Sequence, residues 1–241
     1  MNHTALVTGG ASGIGAAICA AMLEAGYTVI SLDRAPQAAR GPRFHGVVVD
    51  LADEAATRAV AAEVCAAHAV SHVVHNAGII RPAVLAEVKP ADLHALTSLH
   101  LAAPLLLVQA ALPSMRAAGF GRIILLSSRA ALGLQTRSAY SATKAGLIGL
   151  ARTWALELAG DGITVNCIAP GPIAGTAMFH DVVPKGSDRE AALARNIPVG
   201  RLGMPADIAR AAMFFADARA GFVTGQTLFV CGGSSIGSLA I

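Results

Sequence analysis

Tyr140 and Lys144 lie four residues apart in a segment, Ser138 to Ala159, whose apolar spacing reads as a long helix. That interval puts both side chains on one face, one turn apart. A phenol titrates near ~10 and is a poor base at neutral pH. A neighbouring ammonium favours the phenolate and brings that value down, which makes Tyr140 a usable general acid/base. Just upstream, the apolar strand Gly121 to Leu126 runs into Ser127-Ser128, and a hydroxyl there can bond the same substrate oxygen. Tyr and Lys at this interval also occur on ordinary solvated helix faces, so the pair gains meaning from its company.

That company begins at the N-terminus. Ala5-Leu6-Val7 reads as a short buried strand, and Thr8-Gly9-Gly10-Ala11-Ser12-Gly13-Ile14-Gly15 as a tight turn opening a helix. Gly9, Gly13 and Gly15 allow the backbone to bend sharply and approach a ligand closely. The helix that follows aims unpaired N–H groups and the positive end of its dipole at the loop, which suits a diphosphate. About 20 residues on, a second apolar strand ends at Asp33, where a dinucleotide fold places the carboxylate that holds the adenosine ribose. A carboxylate accepts two hydroxyls and repels a 2′-phosphate, so Asp33 favours NAD over NADP. Arg34 is the contrary sign, able to pair with a phosphate, stack on adenine or face solvent.

The elements that must position these groups alternate along the chain. Helix Ile14–Ala25 is followed by strand Tyr27–Leu32, strand Val47–Leu51, helix Asp53–Ala67 with Asp53 as N-cap, and strand Val70–His75. Then come a helical stretch Pro90–Ala118 with a kink or late break at Pro113, strand Gly121–Leu126, the Tyr140 helix, strand Gly162–Cys167, helix Pro205–Ala216 and strand Thr227–Val230. This alternation implies parallel crossovers with helices on both sheet faces: an α/β, doubly wound, three-layer sandwich. No linker or repeat divides it, so residues 1–241 read as one domain, with an irregular lid around residues 175–200.

Composition narrows the partners. The chain is 54% apolar and only 14% charged, enough for a large core and a buried subunit interface besides. Its net charge of +3 comes from scattered basic residues, so a nucleic-acid partner is not expected. Cys19, Cys65, Cys167 and Cys231 show neither metal-ligand nor disulfide-framework spacing, so no metal is expected and a reducing, cytoplasmic setting is. The polar start shows no signal peptide, and the longest apolar run, Leu101 to Pro113, is too short to span a bilayer.

Taken together, TGGASGIG at Thr8–Gly15, Asp50-Leu51, HNAG at His75–Gly78, the two serines, YSATK at Tyr140–Lys144 and PGPI at Pro170–Ile173 resemble the short-chain dehydrogenase/reductase family over essentially the whole chain. The resemblance implies a Rossmann-like parallel sheet of seven strands, NAD(H) or NADP(H), and hydride transfer at an alcohol or carbonyl carbon. It implies that Tyr140 handles the proton on the substrate oxygen, that Lys144 holds the nicotinamide ribose and acidifies Tyr140, and that a serine orients the substrate. Strand register favours Ser128 for that serine, whereas counting back from Tyr140 points to Ser127. Asp50 and Leu51 would flank adenine, Asn76, Ala77 and Gly78 would pass the ribose, and Pro170, Gly171 and Ile173 would lie by the carboxamide. Thr176 comes one position later than the family's threonine. Where the family carries a proton-relay asparagine, this chain has His100, and imidazole can also relay a proton. Family surfaces matching the last strand and the helices around Leu101–Met115 and Ala145–Leu158 imply a homotetramer, with a homodimer as the smaller alternative.

Three arginines from loops at strand carboxyl ends, Arg81, Arg129 and Arg137, suit an anionic small-molecule substrate, as do His180, Lys185 and Arg189 in the lid. The sequence therefore reads as an NAD-dependent dehydrogenase of a hydroxy acid or sugar-like polyol. The alternatives are an NADPH-dependent 3-oxoacyl thioester reductase and a catalytically silent dinucleotide sensor. Asp33, and Ser12 where NADP enzymes often put a basic residue, argue against the first. The presence of both Tyr140 and Lys144 argues against the second.

Overall fold

A computed structural model describes residues 3–236. Seven strands form one parallel sheet in the order β3-β2-β1-β4-β5-β6-β7. They are β1 Thr4–Thr8, β2 Thr28–Asp33, β3 Phe44–Val48, β4 His72–His75, β5 Gly121–Leu126, β6 Ile163–Pro170 and β7 Thr227–Val230. The central strands β4, β5 and β6 are buried along their whole length, as a sheet covered on both faces requires.

The strand alternation of two divides the core. Ile123 and Leu125 of β5 pack on one face with Leu107, Leu147 and Trp154, and Ile124 and Leu126 pack on the other with Ile18, Met22, Ile208 and Phe215. The first face is covered by α2 (Glu54–Ala67), α4 (Ala103–Ala118) and α5 (Ser138–Leu158). The second is covered by α1 (Gly13–Glu24) and α8 (Pro205–Ala216). Strand order reverses between β1 and β4, whose ends Thr8 and His75 are register partners, and a crevice opens beyond such a switch point.

Several elements differ from the sequence reading. β3 begins and ends earlier than 47–51, because the edge strand follows β2 through the pairs Val29–Phe44 to Asp33–Val48. His45 and Gly46 interrupt its apolar character where its side chains are exposed, which hides its start. The helix from α3 (Pro90–Thr97) passes through a π-type turn at Ser98–Ala102 into α4 and continues past Pro113 to Ala118. The residues expected to form an irregular lid contain α6 (Ala177–His180) and α7 (Asp188–Asn196), N-capped by the Thr176 and Ser187 hydroxyls. Asp53 caps α2 as expected, accepting from the Ala56 N–H.

The 29-residue helix Pro90–Ala118 is long and apolar enough to cross a membrane by length and composition, unlike the shorter apolar run read from the sequence. Half of its most apolar window is buried, with Leu107, Ala111 and Met115 inside the core. All four cysteines are free, and among the described residues no group of three or more His, Cys, Asp or Glu side chains is placed to hold a metal ion.

Candidate active site

Tyr140 and Lys144 sit in the first two turns of α5, buried against the carboxyl ends of β5 and β6. Burial pushes the Tyr140 phenol up, a hydrogen bond with the Ser128 hydroxyl pulls it back down, and the charge of Arg137 pulls the same way. Lys144 Nζ lies 5.6 Å from the Tyr140 ring centre and donates to the Leu126 carbonyl at 2.7 Å. Burial lowers its pKa to about 8. Ser128 and Arg137 thus oppose the effect of burial on the Tyr140 phenol.

The two serines separate cleanly. Ser127 Oγ donates to the Lys144 carbonyl at 2.7 Å and is spent on fixing α5 to β5. Ser128 Oγ accepts from the Ala130 N–H at 3.1 Å and lines the cleft together with Tyr140. Adjacent residues at a strand end turn to opposite sides, which gives the two hydroxyls different partners.

The glycine loop is built for close approach. Gly9 has φ +70°, and a side chain on Gly15 would put Cβ 2.0 Å from the Gly9 carbonyl oxygen. Ser12 caps α1 without a side-chain hydrogen bond, and the first turn holds no acid, so its N–H groups face the loop without a carboxylate. Asn76 Nδ2 donates to the carbonyls of Thr8 and Gly9, both at 3.1 Å, tying the β4 end to the loop. Asp33 accepts from the N–H groups of Ala11 and Ala35, each at 3.0 Å, so its carboxylate stands beside the loop at the end of β2. This cradle fits the diphosphate and ribose of a nicotinamide dinucleotide. Arg34 is exposed.

Two residues of this region escaped the sequence reading. Thr8 Oγ1 accepts from the N–H groups of Asn76 and Ala77, both at 3.0 Å, and so must donate to His75 Nδ1 at 3.1 Å. A hydroxyl residue just before the first glycine was the available signal. Arg40 donates to the carbonyls of Gly10 at 3.1 Å and Ala16 at 3.3 Å, bracing the loop from a segment with no motif of its own.

His100 lies in the π-type turn and is fully buried. Its Nε2 accepts from the Ile79 N–H at 3.2 Å, so Nδ1 carries the proton and donates to Thr143 Oγ1 at 2.8 Å. Thr143 passes its own hydroxyl proton to the carbonyls of Ala139 or Tyr140, at 3.1 and 3.0 Å. Burial, with the Lys144 charge adding to it, lowers the imidazole pKa to about 2. Both ring nitrogens are engaged, and the ring stays neutral. So engaged, the imidazole braces the loop after β4 against the turn that carries Tyr140.

A cleft of about 600 Å³ collects the site. Of the residues expected around dinucleotide and substrate, Ile14, Asn76, Gly78, Ser128, Arg129, Arg137, Tyr140, Lys144, Pro170, Gly171, Ile173 and Thr176 line it. Gly9, Ser12, Gly13, Gly15, Asp33 and Arg34 belong instead to the adjoining loop and β2 end. Leu51 is a core side chain and Ala77 packs on the same core, so only their backbones are available to a ligand. Asp50 accepts from the Ala52 N–H at 2.9 Å and holds a turn. Thr176 donates to the Ile173 carbonyl and caps α6, while its methyl lies against Gly13, closing the lid onto the glycine loop.

Three expected substrate contacts, His180, Arg81 and the exposed Lys185, do not reach the cleft. His180 accepts from the Gly175 N–H at 3.2 Å and bonds the Val183 carbonyl at 3.2 Å, which shapes the lid turn. Arg81 pairs with Asp92 at 3.6 Å. The lid instead contributes Met178, Phe179, Val182, Val183, Leu193 and Arg189, so the outer cleft is mostly apolar.

A sequence profile for the family described as "Enoyl-(Acyl carrier protein) reductase" matches residues 9–235. The (2S)-[(R)-hydroxy(phenyl)methyl]succinyl-CoA dehydrogenase subunit BbsD of Thauera aromatica is 38% identical, covering 98% of this chain and 97% of its own. An acetoacetyl-CoA reductase of Rhizobium meliloti (strain 1021) is also 38% identical, with 97% and 98% covered. Among solved structures, a gluconate 5-dehydrogenase from Burkholderia cenocepacia J2315 in complex with NADP and tartrate superposes with a TM-score of 0.90 at 32% identity, covering 99% of this chain and 97% of that one.

Proposed function

The chain belongs to the short-chain dehydrogenase/reductase family, and from that premise we propose that it exchanges a hydride between NAD(H) and a secondary alcohol or its ketone, the substrate being a hydroxy acid or a sugar-like polyol. The observation that carries this reading is the convergence of Tyr140, Ser128 and Lys144 on one cleft that the glycine loop adjoins.

The dinucleotide supplies the hydride acceptor or donor when bound. The Gly9–Gly15 loop and the α1 N-terminus bind its diphosphate. Asp33 takes the adenosine ribose hydroxyls, Asp50 and the Leu51 backbone border the adenine, and the Asn76–Gly78 backbone passes the ribose. Pro170, Gly171, Ile173 and Thr176 wall the nicotinamide end. Ser128 orients the substrate oxygen, and Tyr140 holds or releases the proton on it. Lys144 holds the nicotinamide ribose, and His100 keeps the helix turn in place through Thr143.

The charge at Asp33 supports NAD over NADP, since a carboxylate held by two backbone N–H groups has no room to yield to a phosphate. The reading extends to a cytoplasmic homotetramer, or a homodimer. Support for assembly comes from Leu156 on α5, 86% exposed, and Phe222, fully exposed before β7.

A second reading, an NADPH-dependent 3-oxoacyl thioester reductase, draws support from the acetoacetyl-CoA reductase relative and the NADP-bound neighbour. One screen separates the two. NADH and NADPH absorbance is followed against sugars, hydroxy acids, cyclic alcohols and 3-oxoacyl thioesters. Turnover of a hydroxy acid or polyol with NAD supports the first reading, NADPH-linked turnover of thioesters alone supports the second, and dinucleotide binding without any turnover overturns both.

A further inference from the structure

We propose that Arg137 binds a carboxylate of the substrate, carried a few bonds from the reacting carbon, so that the substrate is an oxo or hydroxy acid rather than a neutral polyol. The proposal rests on the hydride-transfer reading for which carbon reacts, and on separate geometry for the anion.

Arg137 is the residue before α5, three positions ahead of Tyr140, and it lines the same cleft. Its guanidinium is held from behind. Nη1 donates to the Thr136 carbonyl at 3.1 Å and to the Thr136 hydroxyl at 2.7 Å. Both partners are neutral, and the remaining N–H groups of the fork are left to a ligand. Thr136 has φ +62°, the one positive φ at a non-glycine residue among those described. A β-branched residue adopts that conformation only under strain, which the surrounding contacts must hold. They do: the Thr136 carbonyl also accepts from the Ala83 N–H at 3.1 Å, and Ala83 bridges Arg137 in parallel register. Strain is thus spent on fixing the backbone that aims this guanidinium.

Its charge is also uncompensated. Arg81, Arg116, Arg201, Arg210 and Arg219 each pair with an aspartate. Arg137 has no such partner among the described residues, and no Asp or Glu lines the cleft. An arginine kept half-buried beside the reacting hydroxyl without a carboxylate is a site for one. The apolar lid opposite accommodates the rest of an acid whose other end is hydrocarbon. The same anion chemistry is offered by the phosphates of a thioester carrier. Those would lie farther out, toward exposed Arg189 and toward Arg129, whose Nη1 faces the Ser234 carbonyl at 3.5 Å.

The test uses the whole protein as wild type, R137Q, R137K and R129Q. Malonate binding to protein saturated with NAD is measured by titration calorimetry, which needs no turnover. Malonate is expected to bind the wild type and to bind R137Q roughly 10- to 100-fold more weakly, with partial recovery in R137K and little change in R129Q. Absence of malonate binding to the wild type, or equal binding to R137Q, overturns the proposal. In the turnover arm, 2-oxo and 3-oxo acids are compared with their methyl esters, and 3-oxoacyl-CoA with the phosphate-free N-acetylcysteamine thioester. KM for the acids should rise in R137Q while KM for the esters holds. A preference for the CoA form that disappears in R129Q but persists in R137Q also overturns it. Dinucleotide-dependent turnover absent from every member would sink the hydride-transfer reading instead, and the malonate result would still stand or fall separately.

Discussion

His100 Nδ1 and Thr143 Oγ1 are joined by a 2.8 Å hydrogen bond across 43 residues of chain, between the π-type turn and the helix that bears Tyr140. The proton's position follows from the partner on the other nitrogen, since Nε2 accepts from Ile79. The His100 side chain is thereby a neutral strut. The long-range 15N spectrum of the ring is expected to show the Nδ1–H tautomer unchanged from pH 5 to 9. H100N should leave the pH dependence of kcat in place, whereas H100A should lower kcat by loosening the Tyr140 turn. A change in the ionisation seen in kcat for H100N, at unchanged fold, would restore the relay.

Three buried histidines make the fold sensitive to acid. Burial lowers His72 and His75 to about 3 and His100 to about 2, against an ordinary value of 6.5. The unfolded chain therefore binds protons below pH 6.5 that the folded chain refuses, so stability is full above that pH and falls as pH drops toward 3. Each ring contributes at most about 1.4 kcal/mol per pH unit in that window. Urea unfolding at pH 7, 6 and 5 should show the decline, and H100N should make it shallower. A flat profile would contradict the burial of these rings in neutral form.

Tyr140 and Lys144 should fail in different ways. Y140F should reduce turnover by two orders of magnitude or more, on the order expected for a lost general acid/base, while NADH still binds. Burial lowers Lys144 to about 8, so it loses its charge as pH rises through that value. NADH affinity of the wild type should weaken above pH 8, and that break should be missing in K144M. Fluorescence titration of NADH across pH checks both.

Asp33 acts through charge as well as through its contacts with Ala11 and Ala35. D33A should weaken NAD binding without much improving NADP, because the loop loses its anchor. D33N keeps an acceptor oxygen and removes the charge, so it should narrow the NAD-to-NADP affinity ratio further than D33A does. Equal affinity for the two dinucleotides in the wild type would remove the NAD reading.

Assembly is tested by charge on the exposed apolar positions. L156E and F222D should shift the oligomer to smaller species in light scattering at unchanged helical content, since Leu156 and Phe222 otherwise expose apolar side chains to water. A monomeric wild type would end the assembly proposal.

Covalent neighbours and short periods were enough for much of this protein. The glycine loop, Asp33 some 20 residues on, Tyr140 and Lys144 one turn apart, and the alternation of apolar strands and helices are all local patterns, and each element emerged within a few residues of its expected place. The edge strand β3 shifted because half-exposed pairing, unlike core burial, leaves little apolar signature. What the chain's order alone did not decide were choices among hydrogen-bond partners distant in sequence. Ser127 and Ser128 are chemically alike and adjacent at the end of β5, yet the Lys144 carbonyl claims the first while the second caps the turn at Ala130 beside Tyr140. His100 became a strut because Ile79 and Thr143 occupy both its nitrogens, and Arg81 and Arg137 diverged because only Arg81 met an aspartate. Side-chain types state what a group can donate or accept, but only packing in three dimensions determines which partner desolvates it first.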